Sequence, residues 1–381
     1  MKLLFFTGSR SEWGYIRPIL ELCKKNKINY QLVISNTHVL DSFGNSKNEI
    51  LNDGFKIHDE IYMTLDGYND VTMAKSLSIF GLSFSDILHK SKPDWVVLAG
   101  DRGETFMASV IAAYMNLPIA HIQAGELSGN IDGQARHAIG KFAHLHFASN
   151  KDAERRLIKL GEEKFRIFNV GAPQLDDMYD EKKLDFFKKK LIDKSDLLFK
   201  EKYALCVYHP VVEEFNRTKK DYQIFHNFLK KFVPKRIWIS PNSDSGSAIV
   251  KDQFDKLRDS NDIIYGNLPR FEYLNILKNC EFIIGNSSSG IIESATYKKA
   301  CINVGRRQNK RFCADNVVHV KTVNEKKMQN ALKEINTEKF KKKLKNVKNP
   351  YGFGKSSKII LEILKRKDLI NDKLLKKNLT Y

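Results

Sequence analysis

Acidic and amide side chains are concentrated in one short stretch of the chain, HIQAGELSGNID, at residues 121–132. Glu126 and Asp132 are separated by a glycine-containing loop, so both carboxylates can face one pocket. Clustered carboxylates raise one another's pKa, which allows one to be protonated while another is ionised. Gln123 lies in the same stretch and can neither give nor take a proton. The stretch therefore predicts a site of proton transfer with an amide beside the acids.

Charged groups elsewhere in the chain could act on an anionic substrate. In LAGDRGE, Asp101 directly follows an apolar run and Arg102 lies beside it. Taken alone, this pattern predicts that Asp101 caps the following helix and that Arg102 pairs with an anion. Arg136 follows Asp132 at helical spacing, so it can pair with that acid or bind a phosphate. His209 ends an apolar run and is interpreted either as a diphosphate donor and proton shuttle or as a buried packing histidine.

The block GNSSSGIIESA combines small and hydroxyl-bearing residues after an apolar run. Its glycines, Gly290 among them, let the backbone approach a ligand, and a helix that begins there has free N–H groups suited to a phosphate. Ser287 and Ser288 can add hydroxyl donors, and Glu293 could accept from ribose hydroxyls. Alone, the block predicts a serine N-cap; beside other polar loops it predicts a phosphate site. It is not a Walker A loop, because no G-K-[ST] follows.

The strands that carry these groups are predicted from short apolar runs. The runs alternate with amphipathic helical patterns such as 12–25 and 103–115. This alternation, with strands apolar on both faces, is typical of a parallel sheet covered on both sides. Six strands are predicted first, over 2–8, 30–35, 94–100, 118–122, 145–149 and 166–171, and then five, over 203–209, 236–241, 262–266, 281–286 and 301–305.

Two Rossmann-like, doubly wound α/β domains follow from this pattern, since 381 residues exceed one ordinary core. The predicted boundaries are an N-terminal domain at 1–175, a charged helical connector at 176–200, a nucleotide-binding domain at 201–355 and a lysine-rich tail at 356–381. The tail is predicted to be a packed final helix or a frayed terminus. The polar blocks GSR, GDR, HIQAGE, HP, PNSDSG and GNSSSG all follow strands. We therefore expect an active site in a cleft between the two domains.

Composition restricts the class of function. The net charge of +19 comes mostly from lysines on predicted surface helices, and no DNA- or RNA-binding motif accompanies it. A solvated, lysine-biased surface that attracts an anionic small substrate is favoured over a nucleic-acid binder. No stretch approaches the roughly 18–20 apolar residues of a membrane span, and MKLLFF is interrupted before a signal sequence forms. Five widely spaced cysteines without a C-x-x-C pair argue against disulfides and zinc, and for the reducing cytoplasm.

Eight blocks, in order along nearly the whole chain, resemble the hydrolysing UDP-N-acetylglucosamine 2-epimerases. The branch that serves sialic and related nonulosonic acid synthesis is the most similar. The blocks are TGSRSEWGYIRPIL, LAGDRGET, HIQAGELSGNIDGQARHAI, YHPVVEE, PNSDSGS, IGNSSSGIIE, NVGRRQNKR and NPYGFGKSS. The resemblance implies a glycosyltransferase-B-like fold, no metal or redox cofactor, and a cytoplasmic enzyme. Family members often form homodimers, and we expect one here.

The same resemblance implies a reaction. A UDP-linked sugar, UDP-GlcNAc or a 2,4-diacetamido-trideoxy analogue, would lose UDP by anti elimination across C1–C2. Water would then add, giving the free 2-epimer of N-acetylmannosamine type. Matched by motif, the catalytic acids would be Asp101 and Asp132, with His209 at the diphosphate. Either Glu126, in the same block, also takes part, or the proton transfer rests on Asp101 and Asp132 alone. Gln123 stands where many relatives carry a glutamate, so the identity of the C2 base stays open.

The resemblance also assigns substrate-binding residues in both predicted domains. Phosphate contacts are implied for Arg10, Ser287 and Ser288, a close backbone approach for Gly290, ribose binding for Glu293, and substrate-side or structural pairs for Arg102, Arg136 and Arg307. Four rival functions remain at this point. They are a GDP-sugar epimerase, a glycosyltransferase of the same fold, a non-catalytic sugar-nucleotide-binding protein suggested by Gln123, and a nucleic-acid binder suggested by charge alone.

Overall fold

The computed structural model describes residues 1–41, 46–66, 70–194, 201–241, 246–266, 268–369, 372–378 and 380. Two compact units divide the chain. Unit 1 comprises Met1–Glu126, Ile131–Asp177 and Tyr351–Tyr381, and unit 2 comprises Leu127–Asn130 and Met178–Pro350. Each unit is built on its own sheet, so the predicted α/β class with two doubly wound domains is confirmed.

Unit 1 contains a seven-stranded parallel sheet in the order β3-β2-β1-β4-β5-β6-β7. The order reverses between β1 and β4, which is where open α/β sheets bind ligands. Its elements up to β7 are β1 (Lys2–Thr7), α1 (Arg10–Lys25), β2 (Asn29–Ser35), α2 (Lys47–Asn52), β3 (Asp59–Ile61), α3 (Asp70–Ser91), β4 (Trp95–Ala99), α4 (Gly103–Tyr114), β5 (Ile119–Ala124), α5 (Ile131–Phe142), β6 (Leu145–Ala148), α6 (Lys151–Lys159) and β7 (Ile167–Asn169).

Successive residues of β1 supply two separate cores, as strand geometry requires. Leu3 and Phe5 face a core that also contains residues of α1, whereas Leu4 and Phe6 face a second core with residues of α3 and α4. This two-sided burial explains why the strands were visible in the sequence as continuous apolar runs. The short edge strand β3 was not predicted, because only Ile61 of its three residues is buried.

The helix α3 corrects one expectation from the sequence. It is long and apolar enough to cross a membrane by length and composition, although no such stretch was expected. Small and polar residues interrupt the apolar residues of α3, so its sequence shows no long continuous apolar run. Phe80, Phe84 and Leu88 are buried in the second core of unit 1, and core helices of globular proteins pass the same test.

Unit 2 repeats the architecture with a six-stranded parallel sheet in the order β10-β9-β8-β11-β12-β13. The order reverses between β8 and β11. Its elements are α7 (Glu181–Lys194), β8 (Ala204–Val207), α8 (Thr218–Phe232), β9 (Arg236–Ile239), α9 (Ser247–Leu257), β10 (Asp262–Tyr265), α10 (Arg270–Asn279), β11 (Phe282–Gly285), α11 (Ser289–Ile292), β12 (Ala300–Val304), β13 (Val317–Val320), α12 (Glu325–Ile335) and α13 (Glu338–Lys345).

Two predicted segments lie partly outside the described residues. Of the predicted connector 176–200, positions 195–200 are not described, and α7 packs within unit 2: Phe187 stacks on Phe271, and Asn275 donates to the Leu184 carbonyl at 2.8 Å. The block PNSDSG is described only at its ends. The edge strand β13 was not predicted, because its residues are mostly half-buried.

The C-terminal tail is a packed helix, the first of the two alternatives. It forms α14 (Ser356–Leu364) and the short α15 (Asp372–Leu375). Ile360, Leu361 and Leu364 are buried in the first core of unit 1, and α14 packs against α1. The tail therefore completes the unit that begins at the other end of the chain.

Candidate functional site

The predicted sugar-side residues of unit 1 follow its central strands. Arg10 begins α1 after β1, Asp101 and Arg102 follow β4, Gln123 lies in β5, and Glu126 comes two residues after that strand ends. The carboxyl ends of β1 and β4 flank the point where strand order reverses, and β5 is their neighbour. The fold thus brings these groups to the edge of the sheet at which such folds bind ligands.

Arg136 connects two of these residues. Its buried guanidinium bonds to Asp101 through Nη2 and donates from Nη1 to the Gln123 carbonyl oxygen at 3.0 Å. Arg136 thus reaches from α5 to the Asp101 carboxylate and to the backbone of Gln123. The cap interpretation of Asp101 is also corrected, since the N-cap residue of α4 is Arg102. A buried ion pair of this kind fixes the Asp101 carboxylate in place.

The backbone at Gln123 departs from regular strand geometry. Its φ is 61°, in the left-handed region, and the register between β5 and β6 shifts between Ile122 and Ala124. A left-handed conformation at a residue other than glycine is uncommon and concentrates at functional sites. The bulge turns the Gln123 carbonyl toward Arg136. The least expected residue of the acidic stretch therefore contributes a backbone acceptor.

The two acids of that stretch have different surroundings. Glu126 is 2% exposed; the Asn150 amide donates to its Oε1, and the Tyr351 hydroxyl donates to its Oε2 at 3.1 Å. Asp132 is half-buried in the first turn of α5, where the helix dipole favours a carboxylate. Glu126 is therefore held from two sides, whereas Asp132 has more access to solvent.

A pair of glutamates that sequence reasoning missed lies beneath the β1–α1 loop. Glu12 accepts from the Gly8 N–H at 2.6 Å and from Thr105 Oγ1 at 2.7 Å. A Cβ on Gly8 would overlap the Glu104 carboxyl group, so both acids lie against this loop. Burial raises the pKa of Glu12 to about 8, and repulsion from Glu104 adds to the rise.

Glu104 joins this pair to the predicted substrate-binding arginines. Its Oε1 accepts from Asn36 at 2.8 Å and from Arg102 Nε at 3.3 Å. Arg10 lies on the same loop and is half-buried; burial lowers the pKa of its guanidinium, and Glu49 opposes that effect. The two glutamates thus contact the β1–α1 loop at Gly8 and the side chain of Arg102.

Three histidines near the site are structural. His121, within β5, donates from Nε2 to the Gly100 carbonyl oxygen at 2.7 Å, and burial lowers its pKa to about 3. His144 accepts from the Ile119 N–H at 3.0 Å, and His146 lies 2.9 Å from Glu162. His144 and His146 thus pack at β6 through these contacts. All three imidazoles are neutral at physiological pH.

In unit 2, Asn286 organises the end of the sheet. Its side chain accepts from the His209 N–H at 2.7 Å and donates to the His209 carbonyl at 2.8 Å. Its own carbonyl accepts from Arg307 Nη1 at 3.3 Å and from Gln308 at 3.2 Å. His209 and Arg307 are therefore brought together through a residue that the sequence did not single out.

The serine-rich block follows β11 and begins α11, a helix of a single turn. Glu293 follows that turn as its C-cap residue. The N-cap residue is Ser288, without a side-chain cap bond, and Ser287 accepts from the Ser289 N–H at 3.3 Å. The Gly290 backbone lies against Cys301, where a Cβ would sit 2.7 Å from the sulfur. The serines and Gly290 thus lie in a tight turn at the end of β11.

Glu293 is paired within unit 2. Arg270 Nη2 lies 2.7 Å from its Oε1, and the Ser289 hydroxyl donates to its Oε2. Tyr273 in turn bonds to that hydroxyl. A ribose ligand would have to share or replace these contacts. Arg270 and Tyr273 could have been identified only from the structure, since they lie on α10 and carry no motif.

The loop Leu127–Asn130 belongs to unit 2 although it lies within the acidic stretch. The Gly129 N–H donates to the Arg307 carbonyl at 2.9 Å, and Arg306 Nε donates to the Gly129 carbonyl at 3.2 Å. A Cβ at position 129 would overlap the Arg306 carbonyl oxygen. Only glycine fits this close backbone approach.

No metal centre emerges from the described parts of the chain, where no group of three or more His, Cys, Asp or Glu is placed to hold an ion. The five cysteines are free thiols. Cys23, Cys206, Cys280 and Cys301 are buried, and burial raises the pKa of each thiol. Neutral buried thiols of this kind act as packing groups.

A family model described as UDP-N-acetylglucosamine 2-epimerase matches residues 20–365. The chain is 34% identical over 368 residues to a Legionella pneumophila protein named UDP-N,N'-diacetylbacillosamine 2-epimerase (hydrolyzing), covering 96% of this chain and 95% of the relative. A Campylobacter jejuni protein named GDP/UDP-N,N'-diacetylbacillosamine 2-epimerase (hydrolyzing) is 32% identical over 350 residues, covering 89% and 88%.

The fold has solved counterparts. A crystal structure of UDP-GlcNAc 2-epimerase from Neisseria meningitidis, bound to UDP-GlcNAc, superposes with a TM-score of 0.80 at 20% identity, covering 96% of this chain and 99% of that one. At 20% sequence identity the similarity concerns the fold alone. The similarity of fold confirms the predicted pair of Rossmann-like domains. The family match and the two relatives extend over nearly the whole chain, and this chain belongs to the UDP-N-acetylglucosamine 2-epimerase family.

Proposed function

We propose that this protein is a hydrolysing 2-epimerase that converts a UDP-linked 2-acetamido sugar and water into UDP and the free 2-epimer. The observation that carries the proposal is the similarity, over most of the chain, to two relatives that are both named as hydrolysing 2-epimerases. The unit 1 site supports it with three carboxylates near one sheet edge, Asp101, Glu126 and Asp132. No redox or metal cofactor enters the proposed reaction.

The proposed chemistry has two steps. First the C2–H bond breaks, its electrons form a C1=C2 double bond, and the C1–O bond breaks with its electron pair leaving on UDP. The C2 proton is not acidic, so the step depends on stabilising the departing diphosphate. Water then adds to the 2-acetamidoglucal, with hydroxyl at C1 and a proton delivered to C2 on the face that inverts its configuration.

Unit 1 would supply the proton carriers. Glu126 and Asp132 are the proposed carriers, with Asp101 as the third acid; Arg136 fixes Asp101 through a buried ion pair. Gln123 contributes its carbonyl oxygen to that arrangement and leaves proton transfer to the acids. Arg10 and Arg102, on the loops after β1 and β4, are proposed substrate-side cations.

Unit 2 would bind the nucleotide. His209 and Arg307, joined through Asn286, are proposed to donate to the diphosphate. Ser287, Ser288 and the Gly290 turn would bind phosphate oxygens through hydroxyl and N–H donors. Glu293, held by Arg270, is the proposed ribose acceptor.

For the sugar, we propose a UDP-linked 2,4-diacetamido-trideoxy hexose of the N,N'-diacetylbacillosamine type, with UDP-GlcNAc as the competing substrate. The two relatives described above, at 34% and 32% identity, carry the first sugar in their names. The product would then feed sialic or related nonulosonic acid synthesis in the cytoplasm. Cell fractionation, with the protein detected by an antibody and not by its activity, tests the cytoplasmic location.

The test is incubation of the purified protein with each sugar nucleotide in deuterium oxide. We expect release of UDP, a free sugar inverted at C2, and one deuterium at C2 per turnover. The diacetamido substrate should give the higher kcat/KM. Release from neither UDP-sugar would overturn the proposal, and equal rates with both would overturn the substrate preference.

Two observations favour specific alternatives. The Campylobacter relative's name includes GDP, so a GDP-linked substrate is tested in parallel; a higher kcat/KM with GDP would replace the nucleotide assignment. Gln123 favours a non-catalytic sugar-nucleotide-binding protein, which would bind UDP tightly without turnover. A glycosyltransferase would need an acceptor, so UDP release in its absence excludes that function.

The proposed assembly is a homodimer. Leu82 on α3 is 74% exposed and Tyr114 on α4 is 86% exposed, and the two helices pack side by side in unit 1. Exposed apolar side chains on neighbouring helices suit a subunit interface. Leu82→Lys with Tyr114→Lys should give a monomer by light scattering. Tyr62→Lys, at another exposed tyrosine, should leave the dimer intact; a monomeric wild type would contradict the assembly.

A further inference from the structure

The block NPYGFGKSS at 349–357 has no role in the function proposed above, yet it reaches the acidic stretch. Tyr351 has no solvent-exposed surface, and its hydroxyl donates to Glu126 Oε2 at 3.1 Å. Both residues lie in unit 1, separated by more than half of the chain. A hydrogen bond to a charged group is stronger than one between neutral groups, so this contact constrains the carboxylate.

The backbone around Tyr351 is fixed by its neighbours. The Tyr351 carbonyl accepts from the Ala172 N–H at 2.7 Å. Gly171 has φ 83°, and a Cβ there would sit 2.8 Å from that carbonyl oxygen. Beyond the ring, the N–H groups of Ser356 and Ser357 donate to the Asp176 carboxylate at 3.2 and 2.8 Å. The hydroxyl is therefore presented by a rigid segment and not by a free tail.

The opposite side of Glu126 is held by α6. Asn150 donates its amide to Oε1, while its own Oδ1 caps α6 by accepting from the Asp152 and Ala153 N–H groups at 3.0 and 2.9 Å. On this side of Glu126, the Arg156 guanidinium donates to the Gly125 carbonyl at 2.9 Å and pairs with Asp152. Glu126 thus has one donor from each of two separate elements.

We propose that Tyr351 is a positioning residue of the reaction: its hydroxyl fixes the Glu126 carboxylate at the start of the acidic loop. The inference rests on the proposed function, in which Glu126 carries a proton. Tyr351 itself does not touch substrate in this proposal. Its effect reaches the chemistry only through Glu126, with Asn150 acting on the same carboxylate from the other side.

The experiment compares Tyr351→Phe with Phe353→Leu, a control in the same segment whose ring is 70% exposed. Tyr351→Phe keeps the buried ring and removes only the donor. We expect its kcat to fall about tenfold, with KM for the UDP-sugar and Kd for UDP changing less than about twofold, because the lost bond acts on the reacting group. Phe353→Leu should match the wild type.

A double-mutant comparison separates positioning from a structural effect. Asn150→Ser retains an uncharged acceptor for the α6 cap but removes the amide donor to Glu126. Both donors act on one carboxylate, so the combined loss in Tyr351→Phe/Asn150→Ser should be smaller than the product of the single losses. If Tyr351→Phe does not fold, Asn150→Ser alone must show the fall in kcat at constant KM.

A wild-type kcat in Tyr351→Phe would overturn the positioning role. Losses of kcat in the two single variants that multiply in the double variant would also overturn it. In both cases UDP release by the wild type would leave the proposed function intact. A fall in UDP affinity without a fall in kcat would also overturn the positioning role. If the wild type itself releases no UDP, the proposed function fails, and that result is distinct from either outcome in the variants.

Discussion

At the scale of single residues, the site is defined by which groups hold the acids. Asp101 is bound by Arg136, and Glu126 is held between Asn150 and Tyr351, whereas Asp132 lies half-buried at a helix N-terminus. A carboxylate with solvent access can exchange protons between turnovers more readily than one enclosed by donors. Asp132 is therefore the acid whose replacement should separate turnover from binding most cleanly.

We expect Asp132→Asn to lower kcat by about 100-fold or more, the typical contribution of a general acid or base, while UDP still binds. Release of UDP is followed with a coupled assay and binding by calorimetry. Asp86→Asn, at an exposed acid on α3, is the matched control and should behave as the wild type. Full activity in Asp132→Asn would remove this residue from the proposed mechanism.

Glu12 predicts a pH dependence of stability. Its pKa is raised to about 8 in the folded protein, against an ordinary value near 4.5. Between these values the folded state keeps a proton that the unfolded state has lost, so stability falls as pH rises from about 4.5 to 8. Glu12→Gln should flatten this slope, which is at most about 1.4 kcal/mol per pH unit.

Urea unfolding of the wild type, Glu12→Gln and the exposed control Glu362→Gln at pH 5.5 and pH 7.5 measures that slope. The control should retain the wild-type pH dependence. An identical dependence in Glu12→Gln would show that this carboxyl group is not the source. Its partner Glu104 lies against the same glycine, so the test also reports on the pair beneath Arg10 and Arg102.

Residue types and spacing in the sequence indicated candidate site residues, but they did not indicate which residues these bond to. Asp101, Arg136 and Gln123 were all singled out from the sequence, but their bridge was not, since it joins residues from three elements. Asn286 and Tyr351 were passed over because a lone amide and a lone tyrosine carry no spacing signal. Whether the assigned residues perform the chemistry stays a prediction until the variants are measured.

At the scale of elements, the backbone around the loop 127–130 accommodates only glycine at position 129. The pairing of Gly129 with Arg306 and Arg307 leaves no room for a Cβ. We expect Gly129→Ala to displace the loop that joins Glu126 to Asp132 and to lower kcat at least about tenfold, with a small effect on the unfolding temperature.

Gly140→Ala is the matched control for that variant. It lies in α5, and a Cβ there meets no neighbouring atom within 4 Å. Alanine in a helix interior should stabilise the protein by about 0.5–1 kcal/mol without changing kcat. Equal activities in the two alanine variants, measured by UDP release and thermal unfolding, would contradict the special role of position 129.

The eleven predicted strands all form. Nine of them contain buried residues, whereas the predicted edge strands β7 and β10 contain none. The two strands that were not predicted, β3 and β13, are also sheet edges, and each has a single buried residue, so neither has a continuous buried apolar run.

At the scale of the whole molecule, the tail 351–381 decides where unit 1 ends. Six of its residues lie in the first core of that unit, among them Ile360, Leu361 and Leu364. A fragment of residues 1–177 should therefore expose the apolar surface that these side chains cover, and aggregate or unfold without cooperativity. Joining residues 351–381 to it by a flexible linker should restore a cooperative transition, observed by circular dichroism.

The matched control joins the same linker to a tail in which Ile360, Leu361 and Leu364 are replaced by serine. This chain should behave like the fragment alone, since it lacks the buried contacts. Cooperative unfolding of the fragment 1–177 by itself would contradict the assignment of the tail to the core. The sequence left this choice open, because an amphipathic lysine-rich tail is compatible with both a packed and a frayed end.

Unit 1 is formed from three separate segments of the chain, and this affects the order in which the two units can fold during synthesis. The ribosome makes all of residues 178–350, and with them nearly all of unit 2, before it adds Ile360, Leu361 and Leu364. Domains fold as units while the chain grows at about 5–20 residues per second, so unit 2 can close first although it comes second in the sequence. The first core of unit 1 stays incomplete until those residues are made, so we expect truncations within 356–381 to impair the folding of unit 1 although they remove few residues.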